Sequence, residues 1–96
     1  MCQKFNSLRY WERALAGEFA MIVIEDRHPS LSKANEPFCT RSQMVSYLDR
    51  QNNEIVRVHQ YLRADNTLGA SGRPDPKRLL EGNILYKLPK KPVSHP

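Results

Sequence analysis

The sequence has few of the residues that usually stabilise secreted or metal-bound small domains. Its 96 residues include two cysteines, Cys2 and Cys39, and no CxxC pair. Two thiols do not make a disulfide framework. The three histidines are not spaced from these cysteines in the way that zinc ligands are. We therefore expect no metal site and no cofactor.

Long apolar runs are also missing. The longest, residues 19–24, has six residues, whereas a membrane-spanning helix needs about 20. The N-terminus lacks the basic-then-apolar pattern of a signal peptide. These absences predict a cytoplasmic protein with no membrane partner.

The composition is that of a small globular protein, with 40% hydrophobic and 26% charged residues and a mean hydropathy of −0.65. A chain of this length makes one domain with a modest core. We expect a single domain over residues 1–88. Residues 89–96, rich in proline and lysine, then form a basic tail with no core to join.

Positive charge is concentrated in the second half of the chain. Residues 1–40 contain five Lys/Arg and five Asp/Glu, whereas residues 41–96 contain ten and five, which accounts for the whole net charge of +5. A one-sided basic surface is typical of nucleic-acid binders, because cations that neutralise phosphates release counterions. Basic charge also simply keeps small proteins soluble, so this signal alone leaves the function open.

The first third of the chain predicts a helix and a strand. Leu8, Trp11, Leu15 and Phe19 are spaced as one face of a helix that Asn6 or Ser7 would cap. Residues 21–24 are a continuous apolar and mostly β-branched run, which is typical of a strand buried on both faces. We expect this strand to be central and to lie under the helix. Residues 28–40 then form a long loop.

A β-hairpin is predicted over residues 43–63, with its turn at residues 49–53. Period-2 alternation in the second strand sends Val56, Val58, Gln60 and Leu62 to one face. The other face receives Ile55 and a row of polar and cationic side chains: Arg57, His59, Tyr61 and Arg63. Such a row suits a sheet that sits on a core and touches an anionic polymer.

A loop and a second hairpin complete the predicted domain. Pro74 and Pro76 are expected to stiffen residues 73–78 and to present Arg73, Lys77 and Arg78 in an extended loop. A second hairpin follows, with its turn at residues 81–82. The predicted fold class is α+β, with an N-terminal helix packed on a mainly antiparallel sheet of four or five strands.

Residues 72–78 read Gly-Arg-Pro-Asp-Pro-Lys-Arg. With the hydrophobic residues that follow, they resemble the Gly-Pro-Asp-Pro-Lys-Arg run of colicin-type toxin domains that cleave tRNA. Arg73 is inserted relative to that run, and the resemblance covers residues 68–88. It implies the ribonuclease class that includes barnase and RelE, whose N-terminal helix and antiparallel sheet agree with the predicted order of elements. The resemblance can be transferred only to the residues that match the run, and it implies no other catalytic residues. The matching residues are Asp75, Pro76, Lys77 and Arg78.

Two functions therefore remain open. The first is an RNA-binding domain for tRNA or another structured RNA, which either only binds the RNA or also cleaves it as a metal-independent ribonuclease. In that case His59 would serve as acid or base, Tyr61 would stack on or orient a base, and Lys77 would stabilise phosphorane charge. The phosphate-binding residues would then be Arg57, Arg63, Arg73 and Arg78. The second is a non-catalytic interaction module that binds an acidic partner protein.

Overall fold

The computed structural model describes residues 2–27 and 39–87. The helices are α1 (Cys2–Ser7) and α2 (Tyr10–Leu15), and the strands are β1 (Ala20–Arg27), β2 (Arg41–Leu48), β3 (Glu54–Leu62), β4 (Asp75–Glu81) and β5 (Ile84–Lys87). The strands form one sheet in the order β1-β2-β3-β4-β5, and every neighbouring pair is antiparallel. The predicted α+β class with an antiparallel sheet is confirmed. The tail at 89–96 and most of the 28–40 loop lie outside the described residues.

The single predicted N-terminal helix is wrong, because the chain forms two short helices there. Arg9 has a φ of 58°, in the left-handed region, and separates α1 from α2. An apolar stripe along one face of a helix cannot continue through a residue in this conformation, because the residue ends the right-handed helix. As a result, Leu8 and Leu15 of the predicted stripe are 38% and 63% exposed, and Tyr10 and Ala14 are buried instead.

The predicted central strand is β1, and it lies at the edge of the sheet. All eight of its residues are exposed. Because each strand pairs with the next one in the chain, β1 has a neighbouring strand on one side only among the described residues. A continuous apolar run indicates a strand but does not indicate how many strands flank it.

The core lies on one face of the sheet, under the two helices. Strand β3 alternates as predicted over residues 56–59, since Val56 and Val58 are fully buried while Arg57 and His59 are half-buried. Gln60 and Leu62, predicted on the core side, are only half-buried. Ile55, predicted on the other face, packs against the core, because the register shifts at this residue. The helices and strands contribute to one cluster of buried side chains: Phe5, Tyr10, Ala14, Val45, Tyr47, Val56, Val58 and Leu79. Burying such side chains contributes about 1.5–3 kcal/mol each to folding. We call the opposite side of the sheet the open face.

The predicted turn at residues 49–53 is confirmed. An Asp49 carboxylate oxygen accepts hydrogen bonds from the backbone N–H groups of Gln51 and Asn53, both at 2.9 Å. Asn52 has a φ of 65°, a conformation that asparagine tolerates better than most residues. The register then shifts, since Tyr47 pairs with Val56 and Leu48 with Glu54.

The stiff loop predicted for residues 73–78 is wrong for most of its length, because β4 begins at Asp75. Pro76 is buried and pairs with Val58, while Arg78 pairs with Arg57, so Lys77 is an extra residue in a β-bulge. Proline cannot donate to the strand ladder and is tolerated within sheets at such bulges.

The second hairpin is confirmed, with Gly82 in its turn at a φ of 59°. Neither α1 nor α2, the two helices of the described chain, is long and apolar enough to cross a membrane.

Candidate nucleic-acid interface

The open face brings together polar side chains from three strands. Antiparallel partners point to the same side of a sheet, so the partners of His59 share its face. Met44 on β2 and Asp75 on β4 are those partners. Arg57 lies next along the same face and is flanked by Ser46 and Arg78. The face is therefore a strip of half-buried cations, one imidazole and one carboxylate, in which Ser46 is buried.

His59 is at the centre of this strip and its ring is held on two sides. Nε2 lies 2.8 Å from Oγ of Ser42, and the ring meets Tyr61 edge-on with centroids 4.6 Å apart. Partial burial lowers the pKa of His59 below its usual 6.5, and the Lys77 charge lowers it further, against an opposing effect of Asp75. The imidazole is therefore neutral at neutral pH and can accept a proton.

A cleft of roughly 610 Å³ opens beside His59. Its lining includes four of the predicted site residues: His59, Tyr61, Arg73 and Lys77. Asp75 and residues 69–71 of the preceding loop complete much of the wall. A neutral imidazole, a phenol and two cationic side chains thus line one solvent-filled space.

Arg57 and Arg78 lie directly opposite each other and share one counter-ion. Glu54 Oε2 accepts from Arg57 Nε at 3.0 Å, and Glu54 Oε1 lies 3.8 Å from Arg78 Nε. Burial raises the pKa of Glu54, but the hydrogen bonds from Ser46 and Arg57 and the two arginine charges outweigh it, so the pKa is lowered overall. Two opposed like charges repel, and one carboxylate compensates only half of their charge.

Lys77 is paired with Asp75, since Nζ lies 2.7 Å from Oδ2. Both side chains are more than a third exposed, and exposed pairs of this kind contribute about 0–1 kcal/mol. An incoming phosphate can therefore compete with Asp75 for the ammonium group at little cost. Among the ionised groups acting on His59, Lys77 is the principal one that lowers its pKa.

Arg73 contacts the two helices and not the row of polar side chains on β3. Its Nη2 lies 3.0 Å from Glu12 Oε2, its Nε donates to Asn6 Oδ1 at 3.3 Å, and its guanidinium lies 4.8 Å from the Trp11 ring centre. Arg73 therefore joins the loop to the helices while still lining the cleft. Arg63 follows the end of β3, and its backbone N–H donates to Thr67 O in the next turn.

The residues of the face that were not predicted from the sequence include Ser42, which contacts His59, and Glu54, which compensates two arginines. Glu54 is the first residue of β3 and lies three residues before Arg57 in the sequence. Its contact with Arg57 could therefore have been predicted. Ser42 could not, because its place depends on the register of β2 against β3.

Within residues 2–27 and 39–87, no group of three or more His, Cys, Asp or Glu side chains is arranged to hold a metal ion. Comparisons with known proteins give no further guidance: no family model, no curated protein and no solved structure matches this chain. The resemblance of residues 72–78 to tRNA-cleaving toxin domains stays a prediction.

Proposed function

We propose that this domain binds RNA across the open face and cleaves it without a metal ion at His59, in the manner of small toxin ribonucleases. The observation that carries the proposal is the cleft in which a neutral imidazole, the Tyr61 ring and the Lys77 ammonium meet. Single-stranded segments of a structured RNA, such as tRNA loops, fit this arrangement because their bases are free to stack on an aromatic side chain.

Binding would use the cations of the open face. A phosphate beside Arg57 and Arg78 would compensate the charge that Glu54 leaves uncompensated. A second phosphate would displace Asp75 from Lys77, an exposed pair that costs little to break. The basic half of the chain, which holds the whole net charge of +5, would draw RNA towards this face.

Cleavage would begin when neutral His59 takes the proton of a ribose 2′-hydroxyl. The 2′-oxygen then bonds to phosphorus, the bond from phosphorus to the 5′-oxygen breaks, and the leaving oxygen takes a proton from water. The hydroxide that remains takes the proton from His59 and restores the neutral imidazole. Lys77 stabilises the phosphorane charge. Ser42 holds the imidazole through Nε2, so the other ring nitrogen, Nδ1, is the base in this scheme.

Two further expectations agree with this proposal. The resemblance of residues 72–78 to toxin domains that cleave tRNA points to the same reaction, and Lys77 lies within that run. RNA of this kind is present in the cytoplasm, where we place the protein.

The experiment is incubation of the purified protein with total RNA in EDTA at low salt, read on a gel. We expect discrete fragments from the wild type. His59→Ala should reduce the cleavage rate about 10²–10⁴-fold, the usual contribution of a positioned acid or base. Met44→Ala is the matched control, because Met44 is the cross-strand partner of His59 and carries no proton-transfer group.

The outcomes separate the candidate functions. Fragments that disappear in His59→Ala and persist in Met44→Ala support a ribonuclease with His59 in its site. Retarded but intact RNA would contradict the cleavage step and leave an RNA binder. If RNA is neither shifted nor cut at low salt, the RNA proposal fails, and a module for an acidic partner protein becomes the better account.

A further inference from the structure

A row of polar side chains crosses three strands of the sheet beside the core. Asp26, Gln43 and Gln60 are cross-strand partners on β1, β2 and β3, so they lie on the same side of the sheet. Gln43 Nε2 donates to Asp26 Oδ2 at 3.3 Å, and Gln60 Nε2 donates to Gln43 Oε1 at 3.0 Å. We call these three residues the amide ladder.

The carboxylate at one end of the ladder fixes the orientation of both amides. A carboxylate only accepts hydrogen bonds, so the amide nitrogen of Gln43 must face Asp26 and its oxygen must face Gln60. Gln43 is 5% exposed, so water competes little for these contacts. Gln60 therefore uses one of its N–H groups within the ladder. Its second N–H and its Oε1 have no hydrogen-bond partner within residues 2–27 and 39–87.

Gln60 also lines the cleft beside His59. The pairing of β3 with β4 ends at His59 and Asp75, so β4 does not flank the residues of β3 that follow. The wall of the cleft includes residues of α1, on the core side, as well as Lys77 on the open face. A nucleotide whose phosphate binds Lys77 can therefore extend its base towards Gln60. The volume of roughly 610 Å³ lies in the range of sites that enclose drug-sized ligands.

We propose that Gln60 contacts the edge of one RNA base in this cleft and selects adenine. The inference rests on the proposed binding of RNA at the cleft. An amide that offers an acceptor beside a donor is complementary to the N6 and N7 atoms of adenine, the usual pairing for glutamine. At the same edge guanine presents two acceptors, one of which would face Oε1. Cytosine offers only a donor there, and uracil only an acceptor.

Fluorescence anisotropy tests the inference with labelled oligodeoxyuridine probes that carry one central adenine, guanine or cytosine. We expect the wild type to bind the adenine probe about 5- to 150-fold more tightly than the others, the usual discrimination of a bidentate contact. A probe with 7-deazaadenine, which lacks the N7 acceptor, should lose most of this preference.

The variants separate the contact from the ladder that orients it. Gln60→Met has a side chain of similar length without an amide and should abolish the preference for adenine. Gln43→Met should reduce the preference, because the amide of Gln60 is then free to rotate. The matched control is Gln51→Met, at an exposed position of the β2–β3 turn, which should keep the preference of the wild type.

Circular dichroism establishes that each variant is folded before its affinities are interpreted. A preference for adenine that Gln51→Met keeps and Gln60→Met loses supports the inference. Equal binding of all probes by the wild type, or a preference that persists in Gln60→Met, overturns it while RNA binding stands. If no probe binds at low salt, RNA binding fails and this inference fails with it. Selective binding of adenine without any cleavage of RNA would refute only the cleavage step.

Discussion

Salt should weaken RNA binding by an amount set by the cations of the open face. Three of them lie on β3 and β4 around His59: Arg57, Lys77 and Arg78. Each cation that neutralises a phosphate of single-stranded RNA contributes about −0.7 to the slope of log K against log salt concentration. One phosphate at Arg57 and Arg78 and a second at Lys77 predict a slope of about −1.4, so affinity should fall about 7-fold between 50 and 200 mM salt.

The perturbation is removal of these charges one at a time. Arg57→Gln and Arg78→Gln should each make the slope shallower by about 0.7. Glu54→Gln should act in the opposite direction on affinity, because it removes the carboxylate that both arginines contact. The assay is fluorescence anisotropy of a short labelled oligonucleotide with 2′-deoxy linkages, which the proposed mechanism cannot cleave.

Arg50→Gln provides the control, since Arg50 is exposed in the β2–β3 turn and outside this strip. Its slope should equal that of the wild type. The reasoning is refuted if Arg50→Gln flattens the slope as much as Arg57→Gln does. It is equally refuted if Glu54→Gln weakens binding while the protein remains folded.

Other predictions follow from the same contacts. Lys77→Gln should raise the pKa of His59 and Asp75→Asn should lower it, because these groups act on the imidazole in opposite directions; NMR titration of the ring, assigned with His59→Ala, measures both. Because the pKa of His59 is lowered from 6.5 in the folded state, the unfolded chain takes up this proton first, so stability should fall as the pH drops from about 6.5 towards the folded pKa. The cleavage rate should fall only as the pH approaches that lower, folded-state pKa, because His59 must be neutral to act as a base. Tyr47→Phe should raise the free energy of unfolding in urea by about 1 kcal/mol, because the buried Tyr47 hydroxyl has no hydrogen-bond partner within the described part of the chain. A decrease of similar size in the free energy of unfolding would show that the hydroxyl is hydrogen-bonded. Leu79→Ala should cost about 2–5 kcal/mol because the side chain is fully buried, whereas Leu85→Ala, at an exposed position of β5, should cost far less.

Local patterns in the sequence were sufficient to predict the alternation over residues 56–59 of β3. Alternation in β3 separates Val56 and Val58 from Arg57 and His59, and the structure has this separation. The Asp49–Asn53 turn was also predictable, because an aspartate side chain can accept from the backbone N–H groups of a turn, as Asp49 does, and asparagine tolerates the left-handed conformation of Asn52.

Features that depend on non-local pairing were not predictable. Symmetric pairing around the turn would place Ser42 opposite Gln60, but the extra residue at Ile55 places it opposite Tyr61 and within reach of His59. One bulge therefore decides which hydroxyl contacts the imidazole. The position of β1 at the edge depends on the order of the whole sheet, and the break at Arg9 depends on one backbone conformation.

The central claim is that RNA contacts the open face around His59. The most direct test is to add a short 2′-deoxy oligonucleotide to isotopically labelled protein and follow the NMR chemical shifts. The account predicts the largest changes at His59, Tyr61 and Lys77, with little change along β1. Changes centred on β1 or on the exposed side of α2, with the His59 cleft unaffected, would contradict it.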